Sequence, residues 1–483
     1  MYYIAGQHLL RRNLVRRVSV FPKLTEPEAY RQSRLYQEIS YQRYGKDPKE
    51  ALSYHSDPLI DDLDAILDEN EKDRFEDGHL VRVEMMHAPW NPADVNTVQG
   101  RYPSPYGSST VMSPASGGPD LLVASDRCIG SYFENDPVIG SEGWGRVTHS
   151  SSQFIPKGTL VAMGLPALGT LRSSLWVPSS AVLPVSDSVH ERLGPAGCSL
   201  FQLGGTALRL LSDFVELQPG DVVLQNAGNS GVGFLASQLA ASSLLFGSNS
   251  GEANKNNNES STPLMVSLIR RHGRSKESFE HTVDHLTRVG KNAFVVAEED
   301  LFLPEDTSNT STMDRSKGKT INRAAIREMR QRLRDLSPTG SLPKLALNAV
   351  GGETAKAMLK LLEPNVGSTM VTYGGMSGKG FDLATPQLIF SDVRAVGYWH
   401  SRWMVRQHEQ EQRENHREVD ARGAMVDTLS KLVLEEDLKC PPARVVRLED
   451  LQEGLLWHDE KQSIDPSSHQ SPIRRKLVWD CSE

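Results

Sequence analysis

Cysteine is scarce in this sequence, with four in 483 residues, Cys128, Cys198, Cys440 and Cys481. They lie too far apart for a C-x-x-C pair or a clustered ligand set, which argues against a disulfide scaffold and a structural zinc site. Long apolar runs are lacking too. Gly, Asn or Ser breaks even the most apolar segments before the roughly 18 to 20 residues that span a bilayer, so no membrane span is expected. Positive charge is not in excess either: 53 Lys and Arg against 61 Asp and Glu give a formal net charge of -8. Nucleic-acid binders usually present a basic face, so nucleic acid is not an expected partner. The remaining composition, 38% hydrophobic and 24% charged, is that of a globular protein. A chain of this length exceeds one ordinary core, which predicts two domains plus insertions.

The first two dozen residues carry Arg11, Arg12, Arg16, Arg17 and Lys23 and no acidic residue. On a helix Leu9, Leu10, Leu14 and Val18 share one side while the arginines take much of the rest, as in mitochondrial transit sequences. Residues 1–33 are therefore read as a targeting peptide, with plastid import or an ordinary basic terminus as the other readings. Further along, segments of biased composition read as insertions: 103–136, rich in Pro, Ser and Gly, Asn-rich 244–262, and charged 302–342. Within the last, "INRAAIREMRQRLRDL" predicts an exposed helix. An acidic run within 56–77 reads as surface.

Between these stretches strand-like and helix-like segments alternate, as in a parallel sheet covered by helices. "DVVLQNA" (221–227) leads through the glycines of "GNSGVG" into the helix-like "FLASQLAASSLL", and "PLMVSLIRR" (263–271) follows as a second strand. "KLALNAV" (344–350), "GSTMVTYGG" (367–375) and "DVRAVGYW" (392–399) repeat the strand character. Gly231 and Gly233 open the helix after the first strand, where glycine lets backbone amides approach a pyrophosphate. Alone such a turn is weak, because many strand-to-helix turns need two glycines for steric reasons. The second strand ends in Arg270, Arg271, His272 and Arg274, with no Asp or Glu at the strand end itself. Arginines there suit a 2′-phosphate, so NADPH is the expected cofactor, against the plainer reading of a solvated basic turn.

"NPADVNTVQGRYP" (91–103) resembles the signature of the mitochondrial trans-2-enoyl-CoA (enoyl-thioester) reductases, zinc-free members of the medium-chain dehydrogenase/reductase superfamily. "PVIGSEGWGRV" (137–147), "LQPGDVVLQNAGNSGVG" (217–233), "LALNAVGG" (345–352), "MVTYGGMS" (370–377) and "IFSDVRAVGYWHSRW" (389–403) follow in that family's order. The resemblance implies an α/β chain with a GroES-like, β-rich substrate domain (34–201), a Rossmann-type NADPH-binding domain (202–401) and a C-terminal return to the first (402–483). It further implies reduction of a 2-enoyl thioester, on CoA or acyl carrier protein, in mitochondrial fatty-acid synthesis, by a homodimer in the mitochondrial matrix. Tyr102 would be the proton donor. Asn229, Ser230, Gly231 and Val232 would meet the pyrophosphate and Arg270 and Arg271 the 2′-phosphate. Tyr373, Gly374, Gly375 and Met376 would flank the nicotinamide, with Tyr398, Trp399, His400, Ser401 and Lys476 as further cofactor contacts. Taken singly, Tyr102 could cap a loop, Tyr373 and Trp399 could be core, and Lys476 a solvated charge.

Two positions depart from the wider pattern. Where metal-dependent relatives carry Gly-His-Glu this chain has Gly140, Ser141 and Glu142, and no cysteine adjoins Tyr102, so no zinc is expected. Leu203 stands where the family has an asparagine that contacts the cofactor, while Thr206 is kept. A zinc-free quinone oxidoreductase is the enzymatic alternative, and a diverged non-catalytic NADPH-binding relative the alternative of another class.

Overall fold

The computed structural model describes residues 35–41, 47–58, 80–101, 138–247, 262–291, 293–304, 319–413, 420–462 and 475–482. Residues 1–33, expected to be a targeting peptide, Tyr102, the expected insertion 103–136, and most of 56–77 and 244–262 lie outside them. Among the described residues the chain begins with an antiparallel hairpin, β1 (Leu35–Tyr41) and β2 (Leu52–Pro58). Next come β3 (Leu80–Pro89), the short helix α1 (Pro92–Val98), β4 (Trp144–Ser150), β5 (Leu160–Met163), β6 (Ser174–Pro178) and β7 (Val182–Pro184).

Helix α2 (Leu200–Ser212) leads into a parallel stretch. It contains β8 (Val222–Asn226), α3 (Gly231–Ala240), β9 (Leu264–Ile269), α4 (Lys276–Val289), β10 (Ala293–Ala297), α5 (Arg323–Leu336) and β11 (Leu345–Asn348). α6 (Gly352–Leu361), β12 (Thr369–Thr372), α7 (Thr385–Phe390) and β13 (Arg394–Gly397) complete it. Helices α8 (His400–Arg413) and α9 (Ala421–Glu436) then precede β14 (Ala443–Arg447) and β15 (Lys476–Asp480).

The five strand-like runs read from the sequence are thus β8, β9, β11, β12 and β13. Together with β10 they form one six-stranded sheet in the order β10-β9-β8-β11-β12-β13, parallel at every pairing. This is the doubly wound order, in which the chain runs outward from β8 in both directions. Alternation along each strand sends side chains to opposite faces. Val223, Met265, Leu345 and Leu347 join a core with α2 and α3, while Val222, Leu224, Val266, Leu268 and Ala346 join another with α5 and α6. Because both faces are covered, β8, β9 and β11 are mostly apolar rather than alternating, and their polar residues Gln225, Asn226, Ser267 and Asn348 are buried.

Helix α5 departs from the sequence expectation of an exposed excursion. Arg323, Arg327 and Arg332 are exposed, but Arg330 donates to the Lys360 and Leu362 carbonyls and Ile326, Met329 and Leu333 are buried in the second core, so the segment from 319 onward is a layer of the fold. A spacing of three and four residues makes that apolar stripe, which the density of arginine obscures.

The other sheet runs β14-β15-β3-β4-β5-β7, with β6 paired to β3. Val81, Val83, Met85, Leu175, Val177 and Trp479 fill its core. The last strand, β15, pairs antiparallel with β3, so the C-terminal residues close the sheet that the earlier part of the chain began. Cys198, Cys440 and Cys481 are free, buried thiols, and burial pushes each up from the ordinary thiol range.

Candidate functional site

In a doubly wound sheet the crevice for a ligand opens beyond the carboxyl ends of the strands, where the chain direction reverses. Here that point lies between β8 and β11. Two fully buried asparagines hold it. Asn226 Nδ2 donates to Asn348 Oδ1 at 2.8 Å, and Asn226 Oδ1 accepts from the Ala349 amide at 2.7 Å. Asn348 Oδ1 also accepts from the amides of Val350 and Gly351, at 3.2 and 3.0 Å, which fixes the turn after β11. Neither asparagine was singled out by sequence, although both end strand-like segments.

The glycine turn sits at the same end. Ala227 takes φ 51°, and Ser230 caps α3 by accepting from the Gly233 amide at 3.2 Å. That cap leaves the amides of Gly231 and Val232 among the donors that no helix can satisfy internally, ready for an anion. Gly233 is required sterically, since an added Cβ would lie 2.6 Å from the Ala227 carbonyl oxygen. Gln225 anchors the helix from below, donating to Ser237 Oγ at 2.9 Å and Ser267 Oγ at 2.8 Å. Tyr373, just past β12, hydrogen-bonds Ser230 through its hydroxyl, and burial pushes its phenol above the usual range. Asn229, Ser230, Gly231, Val232 and Tyr373 are therefore neighbours. Gly374 packs against Ala349, whereas Gly375 is open and Met376 is 61% exposed.

Leu203 lies on this turn as well. An added Cβ on Gly231 would fall 2.7 Å from Leu203 Cδ1, so an apolar side chain presses on the first residue of α3. Nearby, the Thr206 hydroxyl donates to the Gln202 carbonyl at 2.6 Å.

Arg270 and Arg271 are exposed at the end of β9. The sequence shows no acid there, yet the neighbouring strand supplies two. The Glu299 carboxylate, following β10, accepts from the Arg271 amide at 2.9 Å and from the His272 amide at 2.8 Å. Asp300 pairs with the Arg271 guanidinium at 2.5 Å.

A second group of candidates lies toward the antiparallel sheet. The Tyr398 hydroxyl and His400 Nδ1 are 2.8 Å apart. Burial, and then Arg209, push buried His400 down to about 3, which keeps its ring neutral. Trp399 begins the turn into α8, its carbonyl accepting from the Trp403 amide. Ser401 accepts from Gln202 Nε2 at 3.4 Å, and the Gln202 amide donates to Glu142 Oε1 at 2.8 Å. Glu142 Oε2 accepts from Asn91 Nδ2 at 3.1 Å, and Asn91 Oδ1 accepts from Lys476 Nζ. A polar chain of Ser401, Gln202, Glu142, Asn91 and Lys476 thus joins the start of α8 to the start of β15. Asp94 completes it, accepting from the Asn91 amide at 2.8 Å. Burial pushes the Asp94 carboxyl up to about 7 and raises Glu142 likewise, while Lys476 pulls both down. Asn91, Asp94, Glu142 and Gln202 were not proposed as site residues from the sequence.

Tyr102 lies outside the described residues. Arg101, which precedes it, closes the end of α1 with its amide donating to the Asn96 carbonyl at 2.8 Å.

A doubly wound parallel sheet and a β-rich sheet closed by the C-terminal strands make up a two-domain α/β fold, the one found in enoyl thioester reductases of known structure. The chain is similar to enoyl-[acyl-carrier-protein] reductase, mitochondrial, of Mus musculus, 29% identical over 385 residues, which covers 78% of each chain. The human protein of that name is 28% identical over 384 residues, 78% of this chain and 77% of the relative. Among solved structures, the mitochondrial 2-enoyl thioester reductase Etr1p/Etr2p heterodimer from Candida tropicalis superposes with a TM-score of 0.63 at 20% identity, covering 92% of this chain and 99% of that one. No protein-family model matches. The resemblance to the mitochondrial enoyl-thioester reductases read from the ordered blocks is the one found in these relatives.

Proposed function

We propose that the protein reduces trans-2-enoyl thioesters, carried on CoA or acyl carrier protein, to saturated acyl thioesters at the expense of NADPH, as a step of mitochondrial fatty-acid synthesis. The observation that carries this is a glycine turn at the switch point of the parallel sheet with a basic end on the neighbouring strand β9, in a chain similar over 78% of its length to mitochondrial enoyl reductases. When bound, NADPH supplies a hydride for the β-carbon of the enoyl group.

The chain's own residues do the rest. The amides of Gly231 and Val232 would receive the pyrophosphate, with Asn229 and Ser230 beside them, and Arg270 and Arg271 would receive the 2′-phosphate. Tyr373, Gly374, Gly375 and Met376 would border the nicotinamide, while Tyr398, Trp399, His400, Ser401 and Lys476 would frame the side toward the antiparallel sheet. Tyr102 holds the proton. A phenol with a reference pKa of about 10 is protonated at neutral pH, so it can stabilise the enolate-like carbonyl and donate. The same reading takes 1–33 as the targeting peptide of a matrix enzyme, 34–201 with 402–483 as the substrate domain, and 202–401 as the nucleotide domain.

Self-association through β13 belongs to this proposal. All four residues of that edge strand are exposed, and the preceding α7 exposes Leu388, Ile389 and Phe390 at 49, 65 and 73%. A bare edge strand beside an apolar patch suits pairing with a second copy. Light scattering of the purified chain is expected to give a dimer, and a monomer for Val396→Lys with Phe390→Glu; a wild-type monomer contradicts it.

The deciding assay is NADPH oxidation with crotonyl and trans-2-hexenoyl thioesters. Turnover is expected, with Tyr102→Phe lowering kcat by about a hundredfold or more, the range of a positioned proton donor. NADPH binding without thioester-dependent turnover, or turnover only with quinones, overturns the assignment.

A further inference from the structure

The arginine turn after β9 does not stand alone. The residues after β10, on the neighbouring strand, reach over to it and place two carboxylates among its cations. These two acids are adjacent in sequence yet do different things. Glu299 binds the backbone: its two oxygens take the consecutive amides of Arg271 and His272, at 2.9 and 2.8 Å. Two consecutive amides pointing at one place are the usual start of an anion-binding nest. Here that nest is already filled by the protein's own carboxylate. The backbone of the turn is thereby fixed, and an incoming phosphate must be met by side chains instead.

Asp300 binds a side chain. It holds the Arg271 guanidinium at 2.5 Å, both groups being 49% exposed, while Arg271 also lies over the Phe279 ring at 5.5 Å. Arg270 is exposed beside it, and Arg274 is directed elsewhere, donating to Thr282 Oγ1 at 3.0 Å. Further round, Glu298 is engaged by Lys319 at 3.2 Å and by the Thr354 hydroxyl at 2.8 Å, so it does not compete for the turn. Asp300 is then the carboxylate that occupies the guanidinium face a phosphate would take.

We propose that Asp300 is a specificity-determining counter-ion: it holds Arg271 in place when the turn is empty and must yield that guanidinium to the 2′-phosphate, which moderates the preference for NADPH over NADH. This rests on the cofactor assignment above. The exchange is between two anions for one cation, so no proton or bond changes hands. An exposed ion pair is weak and salt-sensitive, which lets the phosphate win while leaving a measurable cost. A dianionic phosphate also suffers the nearby negative charge of Asp300, and a cofactor with a plain 2′-hydroxyl does not.

The test is binding rather than turnover. Titrations of the full chain with NADPH, NADH and adenosine 2′-monophosphate compare wild type with Asp300→Asn at low and high salt. Asp284→Asn serves as the control for net charge, since Asp284 is an exposed residue of α4 paired to Arg288 within its own helix. The expected result is NADPH and adenosine 2′-monophosphate binding tightened about three- to tenfold in Asp300→Asn at low salt, converging on wild type as salt rises, with NADH and the control unchanged. Equal tightening of NADH, no change for NADPH, or the same gain in Asp284→Asn overturns the role of Asp300 while leaving the cofactor assignment standing. A wild-type chain that binds neither dinucleotide overturns both.

Discussion

Two clusters in this molecule have nearly the same ingredients. One groups Asp94 and Glu142 with Lys476, the other Glu299 and Asp300 with Arg271. In the first the carboxylates are 1 and 4% exposed, and burial raises both. In the second the burial penalty is smaller and is outweighed by the amides of Arg271, His272 and Glu299 together with Lys319, so Glu299 is held below the ordinary range. Composition therefore does not decide what a charge cluster does. Desolvation decides it: in the buried cluster the proton competes with the lysine for the carboxylates, whereas in the exposed one a phosphate competes with them for the arginine.

The sharpest way to break that comparison is to remove the half-buried cation that faces the two carboxyls. Lys476→Met is expected to cost about 3–5 kcal/mol in chemical denaturation, because two buried carboxylates are left without a counter-charge, and Lys476→Arg to recover part of it. A loss no larger than that of a surface lysine would place the cluster in solvent. Glu142→Gln is milder, at about 1–3 kcal/mol, since an amide keeps one acceptor but cannot accept from both Gln202 and Asn91.

The same variant has a pH signature. Carboxyls raised in the folded state bind protons more tightly there than in the unfolded chain, so the cluster lowers stability as pH rises from about 4 to about 7. The unfolding midpoint of wild type should fall across that window more steeply than that of Glu142→Gln; parallel curves would show that the pair does not titrate there. The smallest effect is expected in the exposed cluster. Arg271→Gln should change stability by about 0.5 kcal/mol or less while reducing the preference for NADPH over NADH.

Much of the parallel sheet was legible because its central strands β8, β9 and β11 are buried on both faces and so stand out as mostly apolar runs ended by glycine or charge. The glycine turn was legible for the same local reason. The clusters were not. Glu142 finds Asn91 and Gln202 at separations of 51 and 60 residues, and Lys476 finds Asn91 across 385. The acids facing Arg271 come from the end of the next strand, so inspecting the end of β9 alone suggested an uncontested basic turn. Helix α5 was legible as a helix but not as a core layer, because three apolar residues carry the burial and the arginines dominate the composition. Leu203 was recognised as a departure, and only the fold shows it seated on Gly231.

The three buried thiols offer a clock for the motions of this molecule. Cys198, Cys440 and Cys481 are protonated and shielded in the native state, so alkylating reagents can reach each only when its surroundings open. Cys198 precedes α2 and packs with Trp144 of β4 and Val478 of β15, Cys440 precedes β14 and Cys481 follows β15, so all three thiols report on the closing strands. Their labelling rates would show how readily the C-terminal strands detach, and whether β14 and β15 open together.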